Sequence, residues 1–239
     1  MLAMNKHINV TIIIEGETEQ RFVDEILYPY LEKNNVYVTA TMVNTGNKNI
    51  NGRGGDVRFN RVVKKIRKLL NDPNIYVSTM VDYYGVKEWP AIKPNNLVSR
   101  SATPDQIKDI IYQETIKEIK KTFPKPSDYQ RFIPYISIHE FEMLLFSDSS
   151  KLAEGLEVAE NEITKILLQF GNNPEKINND PTTAPSKRLD HLYATKFPNT
   201  LTKFLKTTKG VTIAASIGID VMRQKCSIFN EWITKLEGL

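Results

Sequence analysis

The sequence predicts an α/β protein: a mostly parallel sheet flanked by helices, followed by an all-helical C-terminal extension. Three observations lead there. Four short runs rich in β-branched and apolar residues alternate with helix-period segments over the first 147 residues. Three of those four runs end in an acid or a histidine, and open α/β sheets build their sites at the carboxyl ends of strands. Beyond Ser149 no strand pattern recurs. The expected division is therefore 1–147 for the α/β domain and 148–239 for a helical extension packed on it.

In order, Ile8 to Ile14 is apolar and β-branched, as a strand covered on both faces must be. Glu15-Gly16-Glu17-Thr18 breaks it, and Phe22, Ile26, Leu27 and Leu31 fall at helical spacing. Val36 to Val43 alternates as a second strand. Asn44 to Gly55, rich in Asn and Gly, reads as a loop, and Asp56 as the cap of a basic helix reaching about Leu70. Ile75 to Asp82 is the third strand, and Val86 to Thr103 an irregular insertion containing Pro90 and Pro94. Pro104 after Thr103 opens a helix to about Phe123. Phe132 to Ile138 is the fourth strand, with a helix starting at His139-Glu140-Phe141-Glu142. Leu152 to Phe170, Leu189 to Leu205 and Ile219 to Leu236 supply short helices.

Composition narrows the class. The chain has 239 residues, 41% hydrophobic and 25% charged, with a net charge of +4, an ordinary globular balance. Apolar runs such as Met143 to Phe146 are far too short for a membrane span, and the N-terminal residues lack the apolar stretch of a signal peptide. One cysteine, Cys226, excludes an internal disulfide and a cysteine-built zinc site, which fits a cytoplasmic protein. Arg53, Arg58, Arg61, Lys64, Lys65, Arg67 and Lys68 crowd together, a pattern that serves equally a solvated helix face or a phosphate-facing patch.

Carboxylates at strand ends suggest chemistry. Mg²⁺ and Mn²⁺ prefer such hard oxygen donors, and a cation relieves the repulsion of gathered acids. Glu15, Asp82, Glu140 and Glu142 form the candidate ligand set, with His139 as a possible ligand or proton shuttle. Each also has a plainer reading. An acid after a strand often caps a helix, Glu19 and Glu142 are expected on exposed helix faces, and His139 can be a satisfied structural histidine. Positions 139 and 142 share a helix face whereas 140 and 142 do not, so one glutamate at most is expected to join His139.

At this point the motifs resemble a family. Ile13-Ile14-Glu15-Gly16-Glu17-Thr18-Glu19 resembles the first TOPRIM motif, and Thr79-Met80-Val81-Asp82-Tyr83-Tyr84-Gly85 the position of the second. Together with the run from Arg131 to Ile136, His139 to Asp148 and Ala184-Pro185-Ser186-Lys187-Arg188-Leu189, the chain resembles an uncharacterised prokaryotic TOPRIM-like family related to the nuclease half of OLD-type systems. Gly218-Ile219-Asp220, Cys226 and Trp232 fit as well, so the resemblance spans nearly the whole chain.

That resemblance implies Glu15 as metal ligand or general acid/base and Asp82 as the first aspartate of the second motif. Tyr84 stands where the second aspartate is expected; a tyrosine is a poor Mg²⁺ ligand, so Glu140 and Glu142 are the substitutes, or the domain binds without cleaving. Lys187 and Arg188 would hold a scissile phosphate, with Lys187 in the catalytic set and Arg61 and Lys64 adding phosphate contacts; Ser186 reads as a helix cap. The implied activity is a Mg- or Mn-dependent nuclease acting on DNA or RNA. It would be a phage-defence effector working with an AAA-type ATPase. The alternative is a degenerate subunit that docks nucleic acid or the ATPase. A nucleotidyl- or phosphate-transfer enzyme is weakly disfavoured, since no P-loop pattern is present.

Overall fold

The computed structural model describes residues 7–43, 57–86, 88–92, 95–99, 101–177, 183–196 and 203–239. Strands β1 (Ile8–Ile14), β2 (Val36–Met42), β3 (Ile75–Asp82), β4 (Phe132–Ile133) and β5 (Ile136–Ser137) form one parallel sheet. The order is β2-β1-β3-β4, with β5 also on β3. Ile12, Ile13 and Ile14 are fully buried, as the unbroken apolar run requires of a strand covered on both faces.

This order sets the site. From β1 the chain steps to β2 on one side, then returns to β3 on the other, so the crevice between β1 and β3 is a topological switch point. Ile14 pairs with Met80, and Asp82 with Ser137, which brings the chain after all three strands to one end of the sheet.

The fourth expected strand is broken in two. Pro134 has no N–H to donate to a ladder, and β4 and β5 pair with different parts of β3 on either side of it. The Thr79 hydroxyl fills the gap, accepting from Tyr135 N–H and donating to Tyr135 C=O, both at 3.0 Å. Arg131, at the head of this stretch, staples it to the turn before β3 by donating to the carbonyls of Leu70, Asp72 and Ile75.

Helix α1 (Glu17–Phe22) continues through a π-helical turn, Val23–Leu27, into Tyr28–Leu31. The expected cap Asp56 and the loop 44–55 lie outside the described residues; α2 (Phe59–Leu69) starts after Arg58, which has no side-chain cap bond. Its basic face is partly committed to structure: Arg58 pairs with Glu88, Lys65 donates to Met42 C=O, and Arg67 lies over the Phe123 ring. Helix α3 (Pro104–Thr122) opens with Thr103 and Gln106 in a reciprocal cap.

The C-terminal region is helical: α4 (Ser149–Leu156), α5 (Glu160–Gln169), α6 (Pro185–Lys196), α7 (Val211–Ile217), α8 (Ile219–Lys225) and α9 (Ser227–Glu237). Phe204 and Leu205 precede a helical turn, Lys206–Gly210, rather than sitting within a helix. One hydrophobic cluster runs from the sheet into these helices. Trp232 is its link: the indole N–H donates to Ser78 Oγ at 2.9 Å and the ring stacks on Tyr135, centroids 4.3 Å apart. Among the described residues no helix is long and apolar enough to cross a membrane.

Candidate active site

Glu15 is the first residue past β1, beside the turn that leaves β3. That turn closes by Gly85 and Val86 N–H groups donating to Asp82 C=O. Gly85 then lies against the Glu15 carboxylate so closely that a Cβ there would stand 2.8 Å from Oε2 and 3.0 Å from Oε1. Glu15 Oε2 is buried with no hydrogen-bond partner.

The β3 exit is zipped to the segment after β5. Tyr83 N–H donates to Ser137 C=O, Tyr84 N–H to His139 C=O, and Phe141 N–H to Asp82 Oδ1 at 3.0 Å. This threading places Glu140 and Glu142 at the same end as Asp82. Burial raises the Asp82 carboxyl well above its ordinary range, and the charges of Glu19, Glu15, Glu142 and Glu140 push it further. Burial is also the leading cause of the upward shifts of Glu15, Glu19 and Glu142, opposed in each by Lys206. Asp82, Glu15, Glu19, Glu140 and Glu142 therefore form one electrostatic cluster.

Four of these acids already have partners. Glu19 accepts from Gly16 N–H at 2.9 Å, closing a cap around the first turn of α1. Asp82 holds Phe141 N–H. Glu140 accepts both the N–H and the hydroxyl of Ser186, at 2.9 and 3.1 Å, so the start of α6 is tied to a glutamate from the sheet. Lys206 Nζ lies 3.2 Å from Glu142 Oε1, an ion pair whose angles make no hydrogen bond. The Glu142 side chain is 2% exposed and that of Lys206 55%. The charge of Glu142, ahead of every other influence, holds the Lys206 ammonium above its ordinary range.

Lys206 is the residue sequence reasoning missed. Nothing in Lys206-Thr207-Thr208-Lys209-Gly210 marks it; it reaches the cluster because Asp190 accepts Phe204 N–H and Arg21 donates to Thr207 C=O. Glu19, whose plainer reading is an exposed helix position, is 7% exposed, buried among the acids. Its signal was present in Gly16-x-x-Glu19, a glutamate three residues after a helix-start glycine. Glu142 likewise is buried, not exposed.

The helix-face argument that grouped His139 with one glutamate does not apply. His139 precedes the helical turn Phe141–Ser147 in a left-handed conformation, φ 78°, so helix-face spacing does not apply across it. Both glutamates act on Asp82, while His139 responds to its burial and to the backbone of Glu175. Burial lowers it to about 4, so its ring is neutral at neutral pH, with Nδ1 buried and unpartnered.

Of the expected phosphate contacts, Lys187 lies 3.7 Å from Asp190, and Arg188 donates to Thr183 C=O and covers the Phe170 ring. Both help hold α6; Arg61 and Lys64 sit on α2. Tyr84 is 43% exposed.

The donor set is all carboxylate oxygen, the chemistry of a hard divalent cation, and Glu15 Oε2 is free to serve. Among the described residues, however, no three His, Cys, Asp or Glu groups are already arranged to hold a metal ion. The donors thus fit such a cation by chemistry, and binding requires side-chain rotation away from the partners just named.

No curated protein and no solved structure matches the chain. A family model, described as a domain of unknown function, DUF4276, matches residues 14–237, across both the sheet and the C-terminal helices. The chain belongs to the DUF4276 family.

Proposed function

We propose that this protein is a metal-dependent nuclease, using Mg²⁺ or Mn²⁺ to hydrolyse phosphodiester bonds in DNA or RNA. The observation that carries this reading is the gathering of Glu15, Glu19, Asp82, Glu140 and Glu142 at the switch point of a parallel sheet, where the other four acids act on the buried Asp82. The resemblance of its motifs to TOPRIM-like nucleases supports it further. Glu15 and Asp82 would hold the cation, with Glu19 or Glu142 turning to complete the set. When bound, the cation neutralises charge on a phosphate oxygen and favours ionisation of water. Lys206, more than half exposed, would present its ammonium to an incoming phosphate, and Arg61 and Lys64, both on α2, would add backbone phosphate contacts. A role as a cytoplasmic phage-defence effector working with an AAA-type ATPase rests on the motif resemblance alone.

Purified protein should nick plasmid DNA or cut total tRNA in Mg²⁺ or Mn²⁺. Glu15→Gln should reduce this to below about a hundredth of the native rate, the scale on which single electrostatic groups in active sites act. Equal cutting by the two proteins would remove Glu15 from the reaction.

A second reading, a binding subunit that has lost catalysis, is favoured by one observation. Lys206 already supplies a cation to these acids, while no three ligands stand in metal-holding order among the described residues. Calorimetric titration with MnCl₂ separates the two, since a nuclease of this kind needs saturable cation binding.

Gly85 provides a finer check on the cation site. Gly85→Ala meets only the movable end of Glu15, so the melting temperature should hardly change while the carboxylate is displaced. Mn²⁺ affinity should fall about 10–100-fold, the usual cost of disturbing a group that orients a ligand. Unchanged affinity would mean that Glu15 does not hold the cation in its present position.

A further inference from the structure

A second feature lies away from the acids, at the open edge of the sheet. The sheet order ends at β4, and no strand pairs with its outer side among the described residues. There α3 and the end of α9 straddle the edge, joined where Lys108 meets Glu231 at 3.0 Å and Lys235 covers the Tyr112 ring. Beyond this junction opens a trough of about 870 Å³. Its apolar surface comes from Ile116, Phe132, Ile133, Pro134 and Leu239, and it shares no residue with the acid cluster.

The charged side chains lining the trough are all lysines: Lys117, Lys120 and Lys235. Lys117 reaches back to Glu114 at 3.1 Å with both side chains partly in solvent, a weak pairing. Lys120 lies over the Tyr129 ring and Lys235 over Tyr112, contacts that leave the ammonium groups able to meet an anion. An open strand edge offers backbone hydrogen bonds to an extended peptide, while side chains on alternate positions point to opposite faces. An occupant matching this surface is extended, apolar on one face and acidic along its flanks.

We propose that the trough beside β4 is a docking site for an acidic, extended segment of a partner protein, which pairs its backbone with the outward-facing N–H and C=O of Phe132. The Ile116, Phe132 and Leu239 side chains receive its apolar residues, and Lys117, Lys120 and Lys235 pair with its carboxylates. Pro134 limits the added strand, because the ladder cannot continue through it.

The test is selection of a random dodecapeptide display library on the full chain, followed by fluorescence anisotropy with the best peptide as a fluorescein conjugate. The expected result is enrichment of sequences alternating apolar and acidic residues. Their affinity should weaken at least about tenfold in the Lys117→Glu, Lys120→Glu, Lys235→Glu triple variant. Circular dichroism should show that variant to be folded, since the three side chains are exposed. The proposal is overturned by any of several results: no enrichment, enrichment of basic or helix-forming peptides, or affinity indifferent to the three lysines. Displacement of a selected acidic peptide by oleate at equal concentration would assign the trough to a lipid anion instead. Self-association abolished by the triple variant would assign it to a second copy. Either result overturns the peptide reading.

Discussion

Asp82→Asn is expected to melt at a higher temperature than the native protein at neutral pH in the absence of divalent cations, and to bind Mn²⁺ far more weakly. The substitution is nearly isosteric, and the Asn side-chain oxygen can still accept Phe141 N–H. What it removes is a carboxylate that burial, then Glu19, Glu15, Glu142 and Glu140, hold above its ordinary range. Because the folded value is raised, this group's contribution to stability is complete below the unfolded value of about 4. It is lost as pH rises through the folded value. The native protein therefore loses stability toward neutral pH, and the variant loses less. Melting curves of the two should approach each other near that lower limit and separate toward neutrality. A separation of about 0.5–2 kcal/mol is the usual return from relieving strain stored at a site. Opposite movements of stability and cation binding would mark the acids as kept for function. A variant melting below the native protein at neutral pH would show that repulsion among these acids is already neutralised, with Lys206 as the cation responsible.

Trp232→Ala should cost about 3–5 kcal/mol, the range for deleting a large buried aromatic side chain. The indole is 1% exposed, stacks on Tyr135 and donates to Ser78 Oγ, whose own hydroxyl donates to Ile133 C=O. Its loss opens a cavity between α9 and the strand that carries Asp82, and removes a donor from a buried hydroxyl. The melting temperature should fall on the order of 10 °C for a chain of this size. Circular dichroism and calorimetry should both report one transition, since one hydrophobic cluster joins the sheet to the C-terminal helices. Two separated transitions in the variant would mean that 1–147 and 148–239 fold as independent units. Trp232→Phe keeps the ring and loses the hydrogen bond, and should cost about 1 kcal/mol.

Much of the architecture was legible in the chain. The runs Ile8 to Ile14 and Ile75 to Asp82 are rich in β-branched and apolar residues because parallel strands are largely covered on both faces, and that pattern survives without knowledge of neighbours. Glu15 and Asp82 were legible for the same reason, as the first chemistry at the ends of those runs. Boundaries set by single residues were harder. Pro134 divided what read as one strand, and the left-handed turn at His139 cancelled the helix-face argument that had joined it to Glu142.

Local patterning thus determined the fold class, the helical C-terminal region and the two leading acids, because side-chain periodicity and strand-end position are properties of contiguous residues. Tertiary structure alone decided the rest. The order β2-β1-β3-β4 made the β1–β3 crevice the place where the acids meet. Burial distinguished Glu19 and Glu142, inside the cluster, from Lys187, which pairs with Asp190 on α6. A turn anchored by Asp190 and Arg21 carried Lys206 to acids more than sixty residues away. The physical reason is that a charge shifts its neighbours through distance and desolvation, and both are set by which segments pack together rather than by which residues adjoin.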